Sequence, residues 1–256
     1  MLTAWPAASQ DLSDLVDAEV LPGWREDGGR HMAAVRLSLA PGWKTYWRSP
    51  GDAGIPPRFD WSGTQNVSGV AVHWPVPIVF YENGYRSVGY SGEVTIPLEF
   101  VTPDTQAPIA LDARLDIGVC EEVCVPVSLH LQGLLEAASG VGAAQIRGAL
   151  DSGPMSAREA GVGDVVCRTE PISDGLRLTL SIDMPRLGGD EAVVVELADP
   201  AIWVSEPTTE RSAQQMTAVA ELVPPEAKPF AMARQDVRIT VLGDGRAVDI
   251  RGCTGG

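Results

Sequence analysis

The chain is short of cationic side chains. Nineteen Lys and Arg stand against 34 Asp and Glu, a formal net charge of −15 over 256 residues. Nothing in that balance would replace phosphate counterions, which excludes a nucleic-acid partner. Long apolar runs are also missing: no stretch of about 20 apolar residues occurs, which excludes a membrane-spanning helix. Histidine is limited to His31, His73 and His130. No Ser-His-Asp set can be built on three such scattered positions. Neither a Gly-x-Ser-x-Gly elbow nor a phosphate-cradling glycine loop is present. The opening MLTAWPAASQ lacks the basic start and apolar core of a signal peptide. Either a signal has been removed or the protein is cytosolic; the first is the reading favoured here.

Cysteine is scarce as well, with four in the chain, and two of them fall within five positions, in the run DIGVCEEVCVP. The flanks of Cys120 and Cys124 alternate with period two: Leu115, Ile117 and Val119 before, Val125, Val127 and Leu129 after. A continuous strand would hold the two Cα atoms roughly 13 Å apart, at about 3.3 Å per residue. A disulfide needs roughly 4.4–6.8 Å. If the two pair, the chain must fold back at Glu121-Glu122-Val123 and carry a small ring at a sheet edge, where another thiol can reach it.

Proline and glycine are plentiful, 20 and 27 respectively, and they punctuate short Val-, Leu- and Thr-rich runs. This predicts an all-β chain of two immunoglobulin-like β-sandwich domains. The first spans 15–135 and holds six of the seven tryptophans if Trp5 just before it is counted with Trp24, Trp43, Trp47, Trp61 and Trp74. Packing between sheets is the plain reading of most of them. Residues 136–159, rich in Ala, Gly and Ser, read as a linker containing one helical pattern, Ala143–Leu150. The second sandwich spans 160–253. Gly243-Asp244-Gly245 predicts a hairpin between its last two strands. Cys167 lies in its first strand and Cys253 just past its last, so a structural disulfide between them is expected.

Three motifs taken together, GWKTYWRSPGDAGIPPRFDW, HWPVPIVFYENGYRSVGYSGEVTIPLEF and CEEVCVP, resemble the N-terminal periplasmic domain of the DsbD thiol–disulfide interchange family. The branch they most resemble is that of the suppressor of copper sensitivity protein B. The resemblance covers roughly residues 20–135. It implies a periplasmic protein-disulfide oxidoreductase whose catalytic pair is Cys120 and Cys124. Electrons would come from a membrane-embedded thiol reductase, on a separate polypeptide or a missing domain, and pass to thioredoxin-like periplasmic proteins, with no cofactor. It also implies a cap loop at Tyr81-Glu82-Asn83-Gly84-Tyr85-Arg86, with Tyr85 the substitute for a shielding aromatic. The three-residue spacing of the cysteines departs from the longer one of the best-known domain.

From the residues themselves, Cys124, leading into Pro126, is the expected point of attack, and Cys120 resolves. Glu121 and Glu122 set negative charge beside both sulfurs and disfavour the thiolate. Two rival readings remain. Cys120, Cys124 and His130 offer soft ligands for copper or zinc. Alternatively, the chain is a non-catalytic interaction module with a structural disulfide.

Overall fold

The computed structural model describes residues 14–255 except Asn83; Trp5 lies outside them. The described strands are β1 (Val16–Arg25), β2 (Arg30–Leu39), β3 (Lys44–Tyr46), β4 (Arg58–Asp60), β5 (Gly69–Val72), β6 (Ile78–Glu82), β7 (Tyr85–Ser91), β8 (Glu93–Val101), β9 (Ile109–Cys120) and β10 (Cys124–Leu135). One helix, α1 (Ala143–Asp151), follows. Then come β11 (Met155–Ser156), β12 (Val165–Pro171), β13 (Leu176–Asp183), β14 (Ala192–Leu197), β15 (Trp203–Val204), β16 (Thr208–Ser212), β17 (Gln215–Val223), β18 (Val237–Gly243), β19 (Arg246–Arg251) and β20 (Thr254–Gly255). The architecture is all-β, in sandwich layers.

Two compact units divide the chain. The first takes the described residues up to Trp47, with Ile55–His73 and Tyr90–Asp151. One of its sheets runs β1-β2-β8-β5; in the other β9 lies between β10 and β3, and β4 pairs with β9 beyond β3. Alternation builds the core: Ile109, Leu111, Ala113, Leu115, Ile117 and Val119 of β9 are buried on one face, as are Val35, Leu37, Ile96, Leu98 and Phe100 of β2 and β8. Trp47 is enclosed, and Trp61 packs edge-on to Phe100 at 5.5 Å between centroids. Helix α1, inside the stretch that reads as a linker, packs on this unit. Its Ile146 is fully buried with Leu21 and Ala34, and Arg147 lies 4.7 Å over the Trp24 ring. Burying one such side chain is worth about 1.5–3 kcal/mol, enough to fix a helix of nine residues that would not persist alone.

The second unit takes Arg48–Gly54, Trp74–Gly89 and the described residues from Ser152 onward. Its sheets run β11-β19-β18-β14 and β15-β17-β13-β12-β20, with β16 beside β17. One apolar cluster joins them, with Leu178, Leu180 and Ile182 of β13 and Met216 of β17 on one side, Val193 of β14 and Val237, Ile239 and Val241 of β18 on the other. Asp244 and Gly245, both at positive φ, make the two-residue turn between β18 and β19. Two segments from within the 15–135 stretch cluster here because arginines anchor them. The Arg48 guanidinium donates to both carboxylate oxygens of Glu196, at 2.9–3.2 Å, and to Thr240 Oγ1 at 3.1 Å. Arg86 pairs with Glu206 at 3.2 Å and donates to the Val193 carbonyl at 3.2 Å. Such pairs join residues up to 192 positions apart, beyond the reach of local patterns.

Candidate redox site at a hairpin tip

Strands β9 and β10 form an antiparallel ladder from Ile109↔Leu135 to Cys120↔Cys124. Only Glu121, Glu122 and Val123 lie between the cysteines, and all three are exposed. The fold-back occurs where the spacing requires it. Directly opposed residues of an antiparallel ladder sit about 4.5–5.5 Å apart; here the two Cα atoms are 4.1 Å apart and the sulfurs are bonded. The two cysteines are unequal. Cys120 is 1% exposed, whereas Cys124 is exposed to solvent. Of the two, only Cys124 is open to solvent.

One side chain in contact with both sulfurs is one that sequence reasoning missed. The Tyr46 hydroxyl is 3.0 Å from Cys120 Sγ and 3.2 Å from Cys124 Sγ, and Tyr46 itself is 3% exposed. It arrives there through β3, whose Lys44 and Thr45 pair with Cys120 and Val119. The register brings Tyr46 to Gly118, and Thr45 Oγ1 locks it by donating to the Gly118 carbonyl at 2.9 Å. Gly118 is what lets the ring approach. A Cβ on it would sit 3.1 Å from Tyr46 Cδ2 and 2.7 Å from Ile55 Cβ. A glycine inside an otherwise apolar strand marks a close approach of this kind, and that was the available signal. Lys44 is a second missed residue: it stands across the ladder from Cys120.

Residues 16–136 match the family described as "Thiol:disulfide interchange protein DsbD, N-terminal". Residues 16–136 form a DsbD N-terminal-like domain. The fold of the whole chain is that of the N-terminal periplasmic domain of ScsB from Proteus mirabilis, with TM-score 0.73 at 22% identity over 99% of this chain and 98% of that one. The DsbD N-terminal domain of Neisseria meningitidis in its reduced form aligns over 48% of this chain and 87% of its own, at 19% identity and TM-score 0.26. No curated protein matches the chain. The DsbD N-terminal domain is a thiol–disulfide interchange module, and the bonded pair Cys120–Cys124 is the disulfide it carries here.

The other sequence-selected residues fall in different places. Tyr81, Glu82 and Tyr85 lie on the β6–β7 hairpin, where Tyr81 pairs with Arg86 and Glu82 with Tyr85. The two tyrosines are 70% and 58% exposed. Gly84, at φ +85°, supplies the turn. Cys167 and Cys253 are bonded in the second unit, and Cys167 is fully buried. The copper or zinc set is not assembled: His130 pairs with Arg114, six residues from Cys124 along β10. At about 3.3 Å per residue that is roughly 20 Å, far outside one coordination sphere. Strand geometry, which the sequence already implied, rules out that trio.

Proposed function

We propose that this chain is a periplasmic module that relays electrons through Cys120 and Cys124, from a membrane-embedded thiol reductase to soluble thioredoxin-like oxidoreductases. The observation that carries the proposal is the asymmetry of the pair: Cys124 is open to attack, Cys120 is enclosed, and one hydroxyl touches both sulfurs. The likeness to a periplasmic domain supports the compartment, and among the described residues no helix is long and apolar enough to cross a membrane.

A donor thiolate attacks Cys124 Sγ. The donor–Cys124 bond forms, the Cys120–Cys124 bond breaks, and Cys120 leaves with the electron pair. The Tyr46 O–H donates to that developing charge, and Cys120 then takes up a proton. The donor's second thiol closes its own disulfide and releases Cys124, so two electrons and two protons have moved. Discharge to an oxidised acceptor is the same sequence reversed. Glu121 and Glu122 are the proposed brake on this chemistry, since nearby carboxylates disfavour a thiolate until a partner docks. Tyr81, Glu82 and Tyr85 carry the cap role that the resemblance assigns.

The test is a Cys120→Ser variant mixed with a thioredoxin-like protein whose resolving cysteine is replaced by serine and whose remaining cysteine is activated as a mixed disulfide with thionitrobenzoate, so that Cys124 displaces thionitrobenzoate and no second thiol can release it. A stable mixed disulfide through Cys124 is expected, while Cys124→Ser should trap far less. In the unaltered chain mild reductant should expose two thiols, with Cys124 alkylated ahead of Cys120. A bond that resists reduction in the folded chain would overturn the reading.

A further inference from the structure

Opposed residues on an antiparallel ladder share a face. Cys120 and Cys124 therefore share theirs with Gly118 and Pro126, with Asp116 and Ser128, and with Arg114 and His130. Strand β4 adds Arg58, which pairs with Asp116 on the other side of β9. On this outward face a cavity of about 390 Å³ opens beside the disulfide, with apolar walls from Ile55, Pro56 and Pro126 and polar edges from Arg58, Arg114 and Asp116. Pro126, on its wall, is two residues along β10 from the exposed Cys124. All of it lies within the first unit.

The charge here is less acidic than that of the chain. Over the whole chain the formal charge is −15; at the cavity Arg58 and Arg114 stand with Asp116 on the edge and Asp60 opposite Arg114 on the ladder, two cations to two carboxylates. Asp116 is engaged, paired with Arg114 at 3.2 Å and accepting from Ser128. Asp60, next on β4, turns its carboxylate to the backbone N–H of Ser62 at 3.0 Å, and Asp112 accepts from Gln132 at 3.2 Å. Arg58 is exposed, four rungs from the disulfide. Four residues of extended chain cover about 13 Å.

Resting on the redox reading above, we propose that this cavity seats an extended segment of the partner protein that carries an acidic side chain about four residues from its reactive cysteine. The apolar walls take the segment, the exposed Arg58 is the principal anchor for the carboxylate, with Arg114, already paired with Asp116, beside it, and the partner's sulfur is thereby delivered to Cys124. Charge-assisted pairs with Arg suit this task, because the guanidinium fixes orientation as well as binding.

Two blocked nine-residue peptides test it, each with one central cysteine and either Glu or Lys four residues to both sides. The peptide thiolate attacks Cys124, the peptide–Cys124 disulfide forms, and Cys120 departs and is protonated. Adduct formation with the oxidised chain is followed by mass spectrometry at low salt. The overall charge, and Glu121 and Glu122, favour the lysine peptide, so the two ideas predict opposite orders. The Glu peptide should react at least fivefold faster, and the order should reverse in an Arg58→Gln/Arg114→Gln variant whose rate with 2-mercaptoethanol is unchanged. Equal rates, a preference for the lysine peptide, or a preference that survives in the variant would overturn the docking inference. Failure of 2-mercaptoethanol and both peptides to open the disulfide would instead remove the redox reading beneath it.

Discussion

Each unit of the molecule holds one disulfide, and the two bonds differ in almost every respect. Cys167–Cys253 spans 86 positions, ties β12 to the segment that pairs beside it as β20, and has one sulfur in the core of its unit. Cys120–Cys124 spans four positions at an exposed tip. By the chain-entropy argument the long loop constrains the unfolded state by about 4–5 kcal/mol, and the short one by about 2. The first therefore holds its unit together. The second contributes little to stability, so it can open and close without threatening the fold. Chain length and exposure set the two bonds apart before any chemistry is considered.

The largest effect should come from removing the staple. A Cys167→Ser/Cys253→Ser variant should lose about 3–5 kcal/mol by denaturant unfolding, while Cys120→Ser/Cys124→Ser loses no more than about 2. Equal losses would break the contrast. Next are the groups around the tip, which should alter rate and leave the staple untouched. Tyr46→Phe removes the donor to the leaving sulfur and should slow reduction by dithiothreitol about tenfold, the worth of a hydrogen bond to charge of about 1.4 kcal/mol. Glu121→Gln/Glu122→Gln should act in the opposite sense and speed the reaction of the reduced pair with small disulfides a few-fold. Stopped-flow traces in which neither variant departs from the parent would leave the pair without tuning. The smallest effect concerns acid. All three histidines fall in the first unit. His31 is fully enclosed, with Nε2 donating to the Pro22 carbonyl at 2.7 Å. Burial lowers its pKa from 6.5; the Pro22 contact partly opposes this, and Arg25 adds to the lowering. The unfolded chain thus binds a proton near 6.5 that the folded chain takes only at lower pH, so stability falls as pH drops below about 6.5. Urea midpoints of the first unit should decline from pH 7 to 5, and less steeply in His31→Gln. A decline shared by the second unit would point to another cause.

Much of this was legible in the sequence where the signal is local. Period-two alternation gave β9 and β10, and the cysteine spacing forced the turn between them. Gly243-Asp244-Gly245 marked the last hairpin, and Ala143–Leu150 the helix. What escaped depends on distant partners. Nothing in GWKTYW says that Tyr46 rests on a glycine 72 residues further on. Only the pairing of β3 with β9 puts it there, and Gly118 gains meaning once that ladder is known. Likewise Arg48 reads as an ordinary surface cation until Glu196, 148 positions away, receives it.

One consequence of the long β9–β10 ladder concerns what happens after the sulfurs separate. The backbone pairs from Val119–Val125 down to Ile109–Leu135 do not depend on that bond. A reduced hairpin thus remains zipped, and its thiols stay as neighbours rather than drifting apart. Reclosure is then intramolecular, with the high effective molarity of groups already aligned. On the redox reading proposed above, the strand pair is a hinge pin that is charged and discharged with almost no mechanical travel.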